Sequence, residues 1–390
     1  MSATPQLVPS VQKLILIVDD TPVNIGVISG ALKDSYKTKI ATNGEKALVL
    51  ACAEEKPDLI LLDVMMPGMD GYEVCSRLKA DPATNEIPVI FLTGQTSAED
   101  ETHGFEVGAV DYVHKPFSPA VVKARVRSHI LLREARAQLA SQLLALNTEL
   151  ETARQIQLAI LPHSIPRLTD LDIAAQYLPM ASVAGDFYDF IQIDDKHIGI
   201  LIADVSGHGL PSALIASMLQ VALTGQVAHA PEPGKVLVGL NRAFCGKFTY
   251  NFVTAAYVYV DLENNLMRYA GAGHPPMLQW RSSTGKATQV LENGLVLGIM
   301  EEASYEAIEF LLEPGDRYVL CTDGILEAAN SAREQFGVDR LMRFIEKHKD
   351  LAAEPFSQTL LDDLAGWSKQ TVDQGQQDDI TLLVIDYKHH

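Results

Sequence analysis

Leu14-Ile-Leu-Ile-Val-Asp-Asp20, Asp58-Leu-Ile-Leu-Leu-Asp63 and Ile87-Pro-Val-Ile-Phe-Leu-Thr93 are three short apolar runs, each closing on a carboxylate or a hydroxyl. Turn signals bound them, and helix-length amphipathic stretches separate them. Continuous apolar runs belong to strands covered on both faces, so residues 14 to 116 are expected to form a doubly wound α/β domain around a parallel sheet. Ligands in such sheets gather at the carboxyl ends of the strands. Asp19, Asp20, Asp63, Thr93 and Lys115 all fall there.

Three carboxylates brought together repel one another, so a hard divalent cation is their natural neutraliser, and Mg²⁺ keeps waters and phosphate oxygens as its other ligands. Such a cluster can pass a phosphoryl group to a carboxylate. Asp63 is the candidate nucleophile if Asp19 and Asp20 hold the metal, with the Thr93 hydroxyl and the Lys115 ammonium gripping phosphoryl oxygens.

From Ser118 to Pro162 the pattern is helical, a stretch of roughly 65 Å at about 1.5 Å per residue. Leu139, Leu143, Leu146, Leu150, Ala153, Gln157 and Ile160 alternate spacings of four and three. That spacing is a coiled-coil seam with Gln157 as its lone polar knob, a device that fixes register and partner number. A helical linker over residues 121–162 and a homodimer formed through it are expected. Lys123, Arg125, Arg127, Arg133 and Arg136 share the helical stretch and read as a solvated face. Pro162 and Pro166 end the helix and open a second domain over residues 163–390.

That second domain mixes β-rich stretches, such as His197 to Ala203, Phe252 to Val260 and Tyr318 to Cys321, with helical blocks at Leu210 to Val227 and Lys235 to Phe248. Strand follows strand without an intervening helix, which predicts an α+β sandwich. Four segments place an acid where an apolar run stops: Val183-Ala-Gly-Asp-Phe-Tyr-Asp-Phe190, Ala203-Asp-Val-Ser-Gly-His-Gly209, Cys321-Thr-Asp-Gly-Ile-Leu-Glu-Ala328 and Gln377-Asp-Asp-Ile-Thr-Leu-Leu-Val384. Carboxylates without cysteine or suitably spaced histidine favour Mg²⁺ or Mn²⁺ over Zn²⁺. Two such ions can activate a water and clamp a phosphate for in-line displacement.

Composition narrows the field. A chain of 390 residues, 47% hydrophobic and 21% charged, is expected to form more than one folded domain. Its formal charge of -19 repels polyanions, which argues against nucleic acid and anionic membrane as direct ligands. Cys52, Cys75, Cys245 and Cys321 lack pairing motifs and read as buried reduced thiols. The tail over residues 1–13 has no signal-peptide pattern and no later run approaches a membrane span, so a cytoplasmic location is expected.

Residues 15 to 117, with Ile15-Leu-Ile-Val-Asp-Asp20, Asp63, Leu92-Thr93-Gly94 and His114-Lys115-Pro116-Phe117, resemble the receiver domain of two-component response regulators. The resemblance implies a five-stranded receiver over 14–120 with Asp63 as phosphoacceptor, Asp19, Asp20 and Asp63 as the Mg²⁺ site, and Thr93, Tyr112 and Lys115 as switch residues. Its partner would be a sensor histidine kinase or phosphotransfer protein.

The four later segments, with Gln157-Leu-Ala-Ile-Leu-Pro162 before them and Ala270-Gly-Ala-Gly-His-Pro-Pro276 among them, resemble metal-dependent serine/threonine phosphatases of type 2C, in the SpoIIE and RsbU branch. By that match the fold is an αββα sandwich. Asp186, Asp204, Asp323 and the Val205 carbonyl would hold two Mn²⁺ or Mg²⁺, and Asp378 or Asp379 would close the site. Ala184 stands where a glycine is common, and His208 is out of register with the histidine of eukaryotic relatives. Ser206 and His274 are expected to serve packing or a substrate loop.

Together the two resemblances imply a response regulator whose output is a phosphatase, with a phosphorylated anti-sigma factor antagonist as substrate. The alternative is an RssB-type adaptor that delivers a stress sigma factor to proteolysis.

Overall fold

A computed structural model describes residues 12–94, 98–248, 251–368 and 378–388. The chain divides between Ala145 and Leu146 into two compact units.

The first unit alternates strand and helix: β1 (Leu14–Val18), α1 (Pro22–Leu32), β2 (Lys37–Ala41), α2 (Gly44–Ala51), β3 (Leu59–Asp63), α3 (Gly71–Ala80), β4 (Val89–Thr93), α4 (Ala98–Glu106), β5 (Asp111–His114) and the first part of α5 (Pro119–Ile160). The strands form one parallel sheet in the order β2-β1-β3-β4-β5. All residues of β1, β3 and β4 are buried, as expected for strands covered on both faces. One face packs Leu16, Leu62 and Phe91 with Val74 and Leu78 of α3, and the other packs Ile17, Leu61 and Leu92 with Ile28 of α1 and Val122, Val126 and Ile130 of α5. Local chemistry starts the helices: the Asn43 side chain accepts from the Lys46 N–H, and Asp70 accepts from the Glu73 N–H.

The second unit contains the remainder of α5 and then β6 (Leu171–Leu178), β7 (Phe187–Gln192), β8 (His197–Val205), α6 (Leu210–Thr224), α7 (Pro233–Phe244), β9 (Val253–Asp261), β10 (Leu266–Ala272), β11 (Met277–Arg281), β12 (Lys286–Val290), β13 (Ile308–Leu311), β14 (Arg317–Cys321), α8 (Asp323–Leu326), α9 (Gly337–Lys347), α10 (Ala353–Ser368) and β15 (Ile380–Tyr387). Two antiparallel sheets, β13-β10-β9-β8-β7 and β12-β11-β14-β15-β6, carry α6 and α7 on one and α9 and α10 on the other. Tyr257, Tyr269 and Tyr318 fill the shared core with Leu320, Leu383 and Ile385. This is the expected αββα sandwich.

Two expectations need correction. Gln157 is not a polar knob facing a second chain, because it is buried against the loop at Ala184 in its own domain. A primary amide has both a donor and an acceptor, so it can satisfy a backbone C=O and N–H at once. Upstream on α5, Leu139, Leu143 and Leu146 are exposed. Among the cysteines only Cys75 and Cys321 are buried; Cys52 is exposed and Cys245 lies between. Among the described residues, no helix is long and apolar enough to cross a membrane.

Candidate functional site

At the carboxyl ends of the first sheet, β1 delivers Asp19 and Asp20 and β3 ends on Asp63. Carboxylate oxygens of all three lie within 4.8 Å of one another. Asp19 and Asp63 are buried while Asp20 is exposed. Lys115, just past β5, donates from Nζ to Asp63 Oδ2 at 2.7 Å and to Asp19 Oδ2 at 3.0 Å. Asn24 Nδ2 donates to both Asp19 oxygens at 3.0 Å, and the Thr21 N–H to Oδ1 at 2.8 Å.

Burial pushes the Asp63 pKa up, more than the Lys115 pair pulls it down. For Lys115, burial opposes the charge, but hydrogen bonds and attraction from Asp63 and Asp19 outweigh it and raise the pKa. Thr93, the last residue of β4, is buried at the same edge, and the Tyr112 ring packs on Phe105 and His114. The five predicted residues at the strand ends are thus brought together.

In the second unit the four acid-bearing segments meet at one end of the two sheets. Asp186 precedes β7, and pairing of Phe187 with Ala203 sets it beside Asp204 in β8. Asp323 opens α8 directly after β14, and Asp378 and Asp379 precede β15, the neighbour of β14. Asp186 is 2% exposed, and its Oδ2 accepts from Thr322 Oγ1 at 2.8 Å and Thr381 Oγ1 at 2.6 Å. These two threonines cross between the sheets and hold the carboxylate in place.

Two glycines make the approach possible. A Cβ on Gly185 would stand 2.8 Å from the Val205 carbonyl oxygen, and one on Gly324 only 1.9 Å from the Asp379 carbonyl oxygen. Any larger residue would part the acid-bearing loops.

Asp378 and Asp379 separate by their bonding. Asp379 is buried and accepts from the Met180 and Gly185 N–H groups, each at 2.7 Å, one to each oxygen. Asp378 is exposed at the rim.

Crowding of like charge marks the site. Burial first, and then repulsion from Asp323, Asp378 and Asp379, pushes the Asp204 pKa up to about 7. Burial together with Asp378 and Glu327 raises Asp323 to about 6, and burial with the Asp204 charge lifts Asp186 well above the carboxylate range. Among the described residues, no three of these carboxylates bring ligand atoms as close together as the first site does.

Ser206 and His274 both bond within the fold. Ser206 Oγ accepts from the Phe252 N–H at 2.9 Å, while His274, buried and held neutral by burial with a pKa near 3, pairs through Nδ1 with the Thr254 hydroxyl at 2.9 Å.

The sequence reading missed Asn24, Thr322 and Thr381 and misplaced Gln157. The threonines lie inside the acid-bearing segments, so their position beside the acids was the available signal.

Known proteins match both halves. Residues 15–127 match the response regulator receiver domain, and residues 194–388 match the family described as Stage II sporulation protein E (SpoIIE). The phosphoserine phosphatase RsbU of Bacillus subtilis is 31% identical over 243 residues, covering 62% of this chain and 70% of RsbU. A probable cyclic di-GMP phosphodiesterase of Vibrio cholerae is 48% identical over 138 residues, 35% of this chain, and the chain spans only 31% of that relative's length. The solved SiaA-PP2C domain of Pseudomonas aeruginosa shares the fold, with a TM-score of 0.55 at 23% identity, covering 64% of this chain and all of that one. The chain is a response regulator receiver joined to a type 2C phosphatase domain, and by that second domain it belongs to the SpoIIE family.

Proposed function

We propose that this protein is a metal-dependent phosphoserine/phosphothreonine protein phosphatase whose rate is set by phosphorylation of Asp63. The working division is a receiver over 14–120, a linker over 121–162 and a phosphatase domain over 163–390. The observation that carries the enzymatic reading is the meeting of Asp186, Asp204, Asp323 and Asp378 at one end of the sandwich, where burial and like-charge repulsion raise the pKa values of Asp186, Asp204 and Asp323.

The residues fit divalent cations. In the receiver, Asp19, Asp20 and Asp63 would hold Mg²⁺ through oxygens already within 4.8 Å of one another. In the phosphatase domain, Asp186, Asp204, the Val205 carbonyl, Asp323 and Asp378 would hold two Mn²⁺ or Mg²⁺; Asp379, with both oxygens engaged by backbone N–H groups, is a positioning residue. The wider spread of these carboxylates suits more than one ion. Bound there, the ions supply Lewis acidity to water and phosphate and neutralise charge as it develops.

The chain's own groups do the rest. In the receiver, an Asp63 oxygen attacks the phosphorus of a phosphohistidine donor, the P–N bond breaks, and Lys115 follows the charge onto the new acyl phosphate. In the phosphatase domain water attacks the phosphoserine phosphorus, the P–O bond to serine breaks, and the serine oxygen takes up a proton. Thr322 and Thr381 keep Asp186 oriented throughout. The likeness to a phosphoserine phosphatase supports a phosphoserine protein as substrate, an anti-sigma factor antagonist being the candidate that the resemblance to the SpoIIE and RsbU branch implies, and the sequence's charge of -19 supports a protein rather than a nucleic acid partner. The exposed Leu139, Leu143 and Leu146 support a homodimer through the upper part of α5.

Hydrolysis of a phosphoserine protein with Mn²⁺ by wild type, Asp204→Asn and Asp323→Asn tests this reading. Turnover lost in both variants with circular dichroism unchanged supports it; no turnover by wild type with any divalent ion, phosphorylated or not, moves the protein to the adaptor class.

A further inference from the structure

Beside the acid centre of the second domain is a recess of about 280 Å³. Leu178 at the end of β6, Leu361, Leu364 and Ala365 of α10 and Ile380 at the start of β15 form its apolar side, and Glu327, Ser368 and Asp378 contribute polar groups. Gly324 and Asp378 line it as well, so it begins at the residue after Asp323 and at Asp378 itself. The volume falls below the roughly 300–1,000 Å³ of small-molecule pockets. It suits one side chain of a longer ligand.

We propose that this recess is a specificity subsite that receives a large apolar side chain of the phosphoprotein, close in sequence to the phosphoserine. The inference rests on the phosphatase reading and adds to it the class of substrate sequence. Three observations choose this occupant. Asp378 and Gly324, the neighbour of Asp323, form part of its wall, so a chain laid over the acid centre passes its mouth. Glu327 and Asp378 at its edge repel an acidic side chain. The chain's own residues 369–377, Lys-Gln-Thr-Val-Asp-Gln-Gly-Gln-Gln, offer a single aliphatic side chain, Val372, and so match the lining poorly.

Burial of an apolar side chain in a shaped pocket discriminates by about tenfold or more. Ala365 is exposed on α10, so phenylalanine there adds bulk to the recess without displacing core. Leu361→Ala has the opposite effect and enlarges the recess.

The test uses full-length protein with Mn²⁺ and short synthetic phosphoserine peptides carrying Leu, Phe, Ser or Lys at each flanking position in turn. The expected result is a kcat/KM at least about tenfold higher for Leu than for Ser at one position. Ala365→Phe should bring that ratio close to one, and Leu361→Ala should shift the preference from Leu towards Phe. Because each readout is a ratio within one variant, partial loss of folded protein does not mimic it. Hydrolysis of all peptides without preference, a preference for Lys, or a Leu preference that survives Ala365→Phe would overturn the subsite and leave the phosphatase reading standing. No hydrolysis of any peptide, with a phosphoserine protein equally untouched, would overturn both.

Discussion

Gln157 and Ala184 exchange two hydrogen bonds, Nε2 to the Ala184 carbonyl at 2.7 Å and the Ala184 N–H to Oε1 at 3.0 Å. The amide is buried, and Ala184 lies two residues before Asp186. The end of α5 is therefore fastened to the loop that presents Asp186. Gln157→Leu leaves two buried backbone groups unpaired, at about 1–3 kcal/mol for each unsatisfied group. A lower thermal midpoint and a weaker apparent Mn²⁺ affinity are expected. An unchanged metal titration would mean that this contact does not position Asp186.

Lys115 is the cation nearest the two buried receiver acids. Lys115→Met leaves Asp19 and Asp63 without it, and breaking a buried pair costs about 3–5 kcal/mol before any relaxation. With Lys115 partly exposed the loss should fall below that range. Its melting temperature should drop in EDTA, and Mg²⁺ should raise it more than in wild type. Equal Mg²⁺ responses in the two proteins would argue against a shared charge balance.

The raised acids of the phosphatase domain give a pH signature. A carboxylate whose folded pKa exceeds its unfolded value of about 3.9 adds stability below that value and loses it as pH rises through the folded pKa. For Asp323 at about 6 and Asp204 at about 7, metal-free protein should lose stability from about pH 4 to pH 7. Mn²⁺ stabilisation should grow over the same window, since protons and cations compete for the same oxygens. Thermal melts across pH in EDTA should show a shallower decline in Asp204→Asn; an identical decline would place the titration elsewhere.

The two glycines at Gly324 and Gly366 should respond oppositely to alanine. At Gly324 the new Cβ meets the Asp379 carbonyl oxygen at 1.9 Å, whereas at Gly366, in α10, nothing lies within 4 Å. Gly324→Ala should destabilise by about 1–3 kcal/mol and remove turnover, and Gly366→Ala should gain up to about 1 kcal/mol from helix propensity. Chemical denaturation of both variants reads the difference.

Much of this was legible in the sequence because acids following apolar runs mark strand ends. Periodicity alone places Asp19, Asp63 and Thr93 at one edge of a parallel sheet, and Asp186, Asp204 and Asp323 at strand ends of a sandwich. Gln157 shows where such reading stops: a heptad position tells that a side chain faces a packed surface, not which chain supplies that surface. Thr322 and Thr381 were invisible as a pair, since 59 residues separate them and only strand register brings both hydroxyls to Asp186. The choice between Asp378 and Asp379 likewise needs the backbone N–H groups of Met180 and Gly185 in place.

If the receiver governs the output, the state of Asp63 sets the phosphatase rate. The direct measurement is Mn²⁺-dependent hydrolysis of a phosphoserine protein by the full-length chain, with and without beryllofluoride and Mg²⁺, in wild type and Asp63→Asn. The rate should change severalfold on addition in wild type and stay constant in the variant. Equal rates in wild type under both conditions, with modification of Asp63 verified by fluorine NMR, would contradict it.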